Sequence, residues 1–165
     1  MNTCPTLATC GLALSLLAGC AGIPEKIAPG TAREQVVQAL GTPTATWQMP
    51  SGGTRLQYSR QPQGRQIYDI DLDASGHVLQ VRQVLERVNL DKVPVDGSWR
   101  SDDVLREFGT PAMKATLRSV SGEIWSYRYR DVTAPFLFHI DVDPQGVVRH
   151  TYSTLEPIRP WFGGN

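Results

Sequence analysis

The chain has 165 residues, 41% of them apolar and 19% charged, which suits one globular domain or two small units sharing a core and excludes wholesale disorder. Lysine plus arginine number 16, as do aspartate plus glutamate, and the two signs are interspersed. That balance excludes the basic stripe of a nucleic-acid binder and the polybasic patch of a protein drawn to anionic lipid.

Met1 to Gly22 holds no charged residue, and Leu7 to Ala18 is almost continuously apolar. The run falls short of the roughly 20 residues a helix needs to cross a bilayer, so it reads as the apolar region of an export signal. Its ending, Leu17-Ala18-Gly19-Cys20, resembles the bacterial lipobox. The resemblance implies a signal peptide over 1–19, cleavage between Gly19 and Cys20, and a lipid anchor on Cys20, with a linker over 20–28. One acyl chain binds membrane only marginally, at roughly 0.8 kcal/mol per buried methylene, so a durable anchor needs several. Cys4 and Cys10 lie in the removed segment, which leaves Cys20 alone and excludes an internal disulfide in the mature chain. Ala21 stands where an inner-membrane retention signal carries aspartate. The expected location is therefore the outer membrane, facing the periplasm, with membrane lipid as the partner of Cys20.

The remainder contains one pattern twice. Gly30-Thr31 through Leu40-Gly41-Thr42-Pro43 matches Gly97-Ser98 through Phe108-Gly109-Thr110-Pro111. Tyr58 then matches Tyr127, and Asp71-Leu72-Asp73 through Gly76 matches Asp141-Val142-Asp143 through Gly146. The spacing between matched residues grows only from 67 to 70 positions along the chain. The first unit is expected over 29–88, a linker over 89–96, the second unit over 97–155 and an irregular tail over 156–165.

Within the first unit, Thr31 and Glu34 have the spacing of a capping box, so a short helix is predicted to start there. Val36, Val37 and Leu40 share its inner face, as Val104, Leu105 and Phe108 do in the second helix. Asp102 and Asp103 suit the second helix's first turn. Gly41 and Gly109 fit a positive φ after a helix, and Pro43 and Pro111 stop its continuation. Strands follow. Less distinct ones occupy 45–49 and 112–120. Trp125, Tyr127 and Tyr129 alternate with polar residues, as do Tyr68, Ile70 and Leu72, and Phe138, Ile140 and Val142. Gly76 and Gly146 turn the chain into a last strand. The fold class is α+β: two repeats of a short helix followed by a three- or four-stranded antiparallel sheet, joined as one long sheet or packed as two lobes.

Pro29-Gly30-Thr31, Val36, Leu40-Gly41-Thr42-Pro43, the tyrosine strand and the aspartate-glycine hairpin, behind a lipobox, resemble the SmpA/OmlA (BamE-like) family of outer-membrane lipoproteins. The tandem arrangement is similar, more distantly, to the β-lactamase inhibitor protein fold. The first resemblance implies a non-catalytic lipoprotein with no cofactor that supports outer-membrane protein assembly or envelope integrity by binding envelope proteins, the β-barrel assembly machinery among them. The second implies an inhibitor or ligand-binding module whose sheet captures a periplasmic enzyme or a cell-wall fragment.

Other candidate sites have plainer explanations. Asp71, Asp73, Asp141 and Asp143 lack the oxygen ligands and terminal glutamate of a calcium loop, and read as solvent-facing positions leading into a turn. His77, His139 and His150 have no metal-ligand spacing and read as surface residues. No Gly-x-Ser-x-Gly elbow is present, and Ser51-Gly52-Gly53 lacks the lysine and helix of a phosphate loop. Trp125, Tyr127 and Tyr129 read as core. Trp161 and Phe162, beside Pro160, are the candidate partner-binding pair, docking on a partner or sitting at the membrane interface, or else they fold back over a sheet edge.

Overall fold

The computed structural model describes residues 22–116, 122–132 and 134–157. The expected signal peptide, Gly19, Cys20, Trp161 and Phe162 lie outside the described residues.

The first α-helix, α1 (Arg33–Leu40), starts later than the Thr31–Glu34 spacing predicts. Ala32 is the N-cap and has no side-chain acceptor, so Gln35 closes the turn from the other side. Its Oε1 accepts the Ala32 N–H at 3.2 Å. Thr31 lies one residue before the N-cap, and its hydroxyl donates to the Ala28 carbonyl at 2.7 Å. Gly41 ends the helix at φ +83° and ψ −167°, a conformation that only glycine adopts without strain.

Four antiparallel strands follow in chain order, β1 (Ala45–Gln48), β2 (Thr54–Ser59), β3 (Ile67–Leu72) and β4 (Val78–Gln83). A one-turn helix, α2 (Arg87–Leu90), occupies part of the stretch expected as a linker. Then come α3 (Ser101–Phe108), β5 (Met113–Ala115), β6 (Glu123–Arg130), β7 (Pro135–Val142) and β8 (Val148–Leu155). The chain is thus α+β, with two separate four-stranded antiparallel sheets rather than one continuous sheet.

The hairpin aspartates have a local task. Asp73 Oδ1 accepts the N–H groups of Ser75 and His77, each at 2.9 Å, and Asp143 Oδ1 accepts those of Gln145 at 2.9 Å and Val147 at 2.8 Å. Each turn is held by its own side chain. The turn then ties down the preceding helix: Gly76 O accepts Arg33 N–H at 2.9 Å, and Gly146 O accepts Ser101 N–H at 2.7 Å.

Two apolar clusters set the layering. Val36, Val37 and Leu40 of α1 pack on Leu56, Ile70, Leu72 and Val78 of the first sheet. Val104 and Phe108 of α3 pack on Trp125, Tyr127, Phe138 and Ile140 of the second, with the Phe108 ring centroid 5.7 Å from that of Tyr127. Ile67, Val84, Leu85 and Leu90 join this second cluster from the first half and the connecting segment. Ile67 sits on the opposite face of β3 from Ile70, so α3 lies beneath the first sheet as well as above the second. The layers run α1, first sheet, α3, second sheet. Among the described residues no helix or strand covers the last face.

Candidate functional site

Strand register places two rows on the face of the first sheet that meets α3: Ala45–Gln57–Asp69–Arg82 and Trp47–Arg55–Asp71–Gln80. Here Asp71 departs from the solvent-facing position expected for it. Asp69 is 0% exposed and Asp71 6%, because α3 covers them. Arg55 binds Asp71 through both Nε (2.6 Å) and Nη2 (3.1 Å), while its Nη1 lies 3.0 Å from Asp69 Oδ2 and 3.2 Å from Glu107 Oε2. Arg82 completes the cluster, 2.7 Å from Glu107 Oε1. Burial pushes the Asp69 carboxyl up to about 7, against the pull of Arg55 and the hydrogen bond from Gln57. Burial also acts to raise Asp71, but hydrogen bonds from Arg55 and Gln80 outweigh it and hold that carboxyl below the usual range. This cluster is a fastening between the halves, closed to substrate by α3.

Among the described residues, nothing gives the corresponding face of the second sheet such a cover. Its rows are Met113–Ser126–His139–Tyr152, Arg128–Leu137–Thr154 and Ile124–Asp141–His150. His139, expected as a surface residue, is half-buried. Its Nδ1 lies 2.8 Å from Ser126 Oγ, its Nε2 lies 2.8 Å from Thr154 Oγ1, and its ring stacks on Tyr152 at 4.7 Å. Burial lowers its pKa below the ordinary value. The Ser126–His139 pair has the contact of a nucleophile and its base, but the far nitrogen meets a neutral hydroxyl instead of a carboxylate. The charge of nearby Asp141 favours an imidazolium, but burial outweighs it, and Ser126 is only 5% exposed. His77 and His150 are exposed, and among the described residues no three His, Cys, Asp or Glu side chains converge to hold a metal. Trp125, Tyr127 and Tyr129 are core, on the opposite face.

At the margin of the open face lies a groove of about 680 Å³. Ala112, Met113, Leu137 and Pro135 come from the second half; Pro62 and Arg65 come from the β2–β3 loop. Glu156, expected to begin an irregular tail, is fixed here. Its N–H donates to Pro135 O at 3.0 Å, its Oε2 accepts from Arg65 Nη2 at 2.7 Å, and its Oε1 pairs with Arg128. Burial acts to raise the Glu156 carboxyl, but the bonds from Arg65 and Arg128 hold it below the usual range. Arg128 Nη1 reaches back to Pro62 O at 2.7 Å, and Gln61 Nε2 donates to Arg128 O at 2.7 Å. No local pattern announces this groove, since its two arginines lie in different halves.

No family model matches the chain, and no curated protein matches it. A solved structure to which it is similar is that of a DUF4309 family protein, YjgB, from Bacillus subtilis subsp. subtilis str. 168. The two share 15% identity over 76% of this chain and 79% of that one, with a TM-score of 0.29, a likeness that carries no argument about function.

Proposed function

We propose that this chain is a lipid-anchored envelope protein that acts by binding other proteins rather than by catalysis, and that its partners belong to outer-membrane protein assembly. The observation that carries the reading is the apolar run ending Leu17-Ala18-Gly19-Cys20, after which the chain has no further cysteine. Lipid on Cys20 holds the folded part near the bilayer, where tethering raises the effective concentration of a binding surface without adding contacts. The twice-used order of helix and four strands supports the finer reading of two tandem SmpA/OmlA-like units.

The face of the second sheet that no described helix or strand covers favours a second reading, an inhibitor or ligand-binding module that captures a periplasmic enzyme or cell-wall fragment. Deletion of the gene separates the two. The assembly role predicts raised envelope permeability and lower barrel-protein levels, restored by the wild-type chain but not by Cys20→Ser. An intact envelope after deletion would count against it. The inhibitor reading predicts instead a tight one-to-one complex with a single soluble enzyme.

A further inference from the structure

We propose that the groove between the two halves is the docking site for a segment of another envelope protein in which a carboxylate is flanked by apolar side chains. The proposal rests on the protein-binding reading and specifies its partner's chemistry.

Charge is the first argument. Arg65 and Arg128 converge on the single carboxylate of Glu156, so among the described residues the charged groups lining the groove leave one positive charge unmatched. The arginine side chains remain 27% and 26% exposed against 14% for Glu156. Arg65 spends its Nε and Nη2 on Glu156, which leaves Nη1 without a partner among the described residues. A guanidinium can serve two carboxylates at once because its five N–H groups fan out in a plane.

The floor supplies the second argument. Met113, half exposed at 50%, stands beside Leu137, Pro135 and Pro62. The volume falls in the range of sites that enclose a few side chains. An anion alone gains nothing from such a floor, and an apolar ligand alone gains nothing from the arginines.

The third argument is internal precedent. The equivalent face of the first sheet is closed by α3, an amphipathic element that lowers Glu107 between Arg55 and Arg82 and lays Arg106 over the Trp47 ring. The groove repeats the pair of arginines, with Glu156 between Arg65 and Arg128 as Glu107 is between Arg55 and Arg82, and it is continuous with the interface between the halves through Gln61 and Pro62.

The test is selection of a phage library of random dodecapeptides on the full-length lipidated protein in detergent, followed by anisotropy of the enriched peptides carrying fluorescein. The expected consensus is an Asp or Glu within two residues of Leu, Met or Phe. Replacing that acid by its amide, or Met113 by Glu, is expected to weaken binding about tenfold, the scale of one charge-assisted contact. Leu79→Glu, an exposed apolar position on the other sheet, should leave affinity unchanged. A consensus without an acid, affinity indifferent to Met113→Glu, no enrichment, or binding seen only after residues 158–165 are removed would each overturn the proposal. Peptides that bind M113E normally would overturn the groove alone and leave the protein-binding reading intact.

Discussion

Glu107 lies 52 positions from Arg55 in the chain, yet its Oε2 accepts a hydrogen bond from Arg55 Nη1 at 3.2 Å across the boundary between the halves. Its other oxygen holds Arg82 at 2.7 Å. Glu107→Ala leaves a buried guanidinium and its neighbour without their shared acceptor. Arg55 keeps Asp69 and Asp71, so a loss of about 2 kcal/mol is expected, the scale of a hydrogen bond to a charged group. Glu107→Gln, which keeps one acceptor, should lose less. Urea unfolding of the two variants checks this, and a loss under about 0.5 kcal/mol for the alanine variant would contradict it.

Asp69 makes stability depend on pH in an unusual direction. Its folded carboxyl titrates at about 7, and an unfolded aspartate at about 3.9. Between those values the folded state holds the extra proton, so this group's contribution falls as pH rises from about 4 to 7. The groups held low, Asp71 and Glu156 among them, lose their contribution only as pH drops below the usual carboxylate range. His139, lowered by burial, works the opposite way, gaining as pH rises through the histidine range. Asp69→Asn isolates the effect. Wild type minus variant stability should decline by an amount on the order of 2 kcal/mol from pH 5 to pH 8. A difference that is flat or rises over that interval would be inconsistent with a raised Asp69.

Gly41 and Gly109 occupy matching places after α1 and α3, but their surroundings differ. A Cβ on Gly41 meets nothing within 4 Å, whereas one on Gly109 would lie 2.5 Å from Gln57 Oε1. Both have positive φ, so alanine at either position costs on the order of 1–2 kcal/mol in backbone strain. Gly109→Ala should cost at least about 1 kcal/mol more, because Gln57 is buried and bonded to Asp69 and must shift. Equal thermal midpoints for the two variants would contradict this packing.

The matched tyrosines offer a similar contrast. Tyr127 donates to Gly109 O at 2.7 Å in the core, and Tyr58 donates to Gly41 O at 3.1 Å near the surface. Tyr127→Phe strands a buried carbonyl and should cost roughly 1–2 kcal/mol, while Tyr58→Phe, where water substitutes, should cost under about 0.5. Chemical denaturation of the pair decides it, and the reverse ranking would show that the first core is the more tightly closed.

The parts of the fold that are legible in the sequence are those whose geometry is local. Asp73 and Gly76, or Asp143 and Gly146, make their own turn within a few residues, and Gly41 and Gly109 mark the helix ends directly. Tyr127 and Trp125 alternate with polar neighbours, which is enough to place them in the core. The burial of Asp71 is not legible, because an aspartate alternating on a strand reads the same under water or under a helix. What decides it is α3, whose first residue is 30 positions downstream. The same holds for Glu156, which sits in a Pro/Gly-rich end and is fixed by Arg65 and Arg128, residues that no pattern connects. α2 has four residues, too few to show a period.

The most direct test of the central claim is a mild-detergent pull-down of the lipidated protein from its own membranes, with mass spectrometry of what accompanies it. The account predicts enrichment of barrel-assembly proteins that disappears with Cys20→Ser. Recovery of a single soluble periplasmic enzyme in their place, or of no envelope protein above the control, would contradict it.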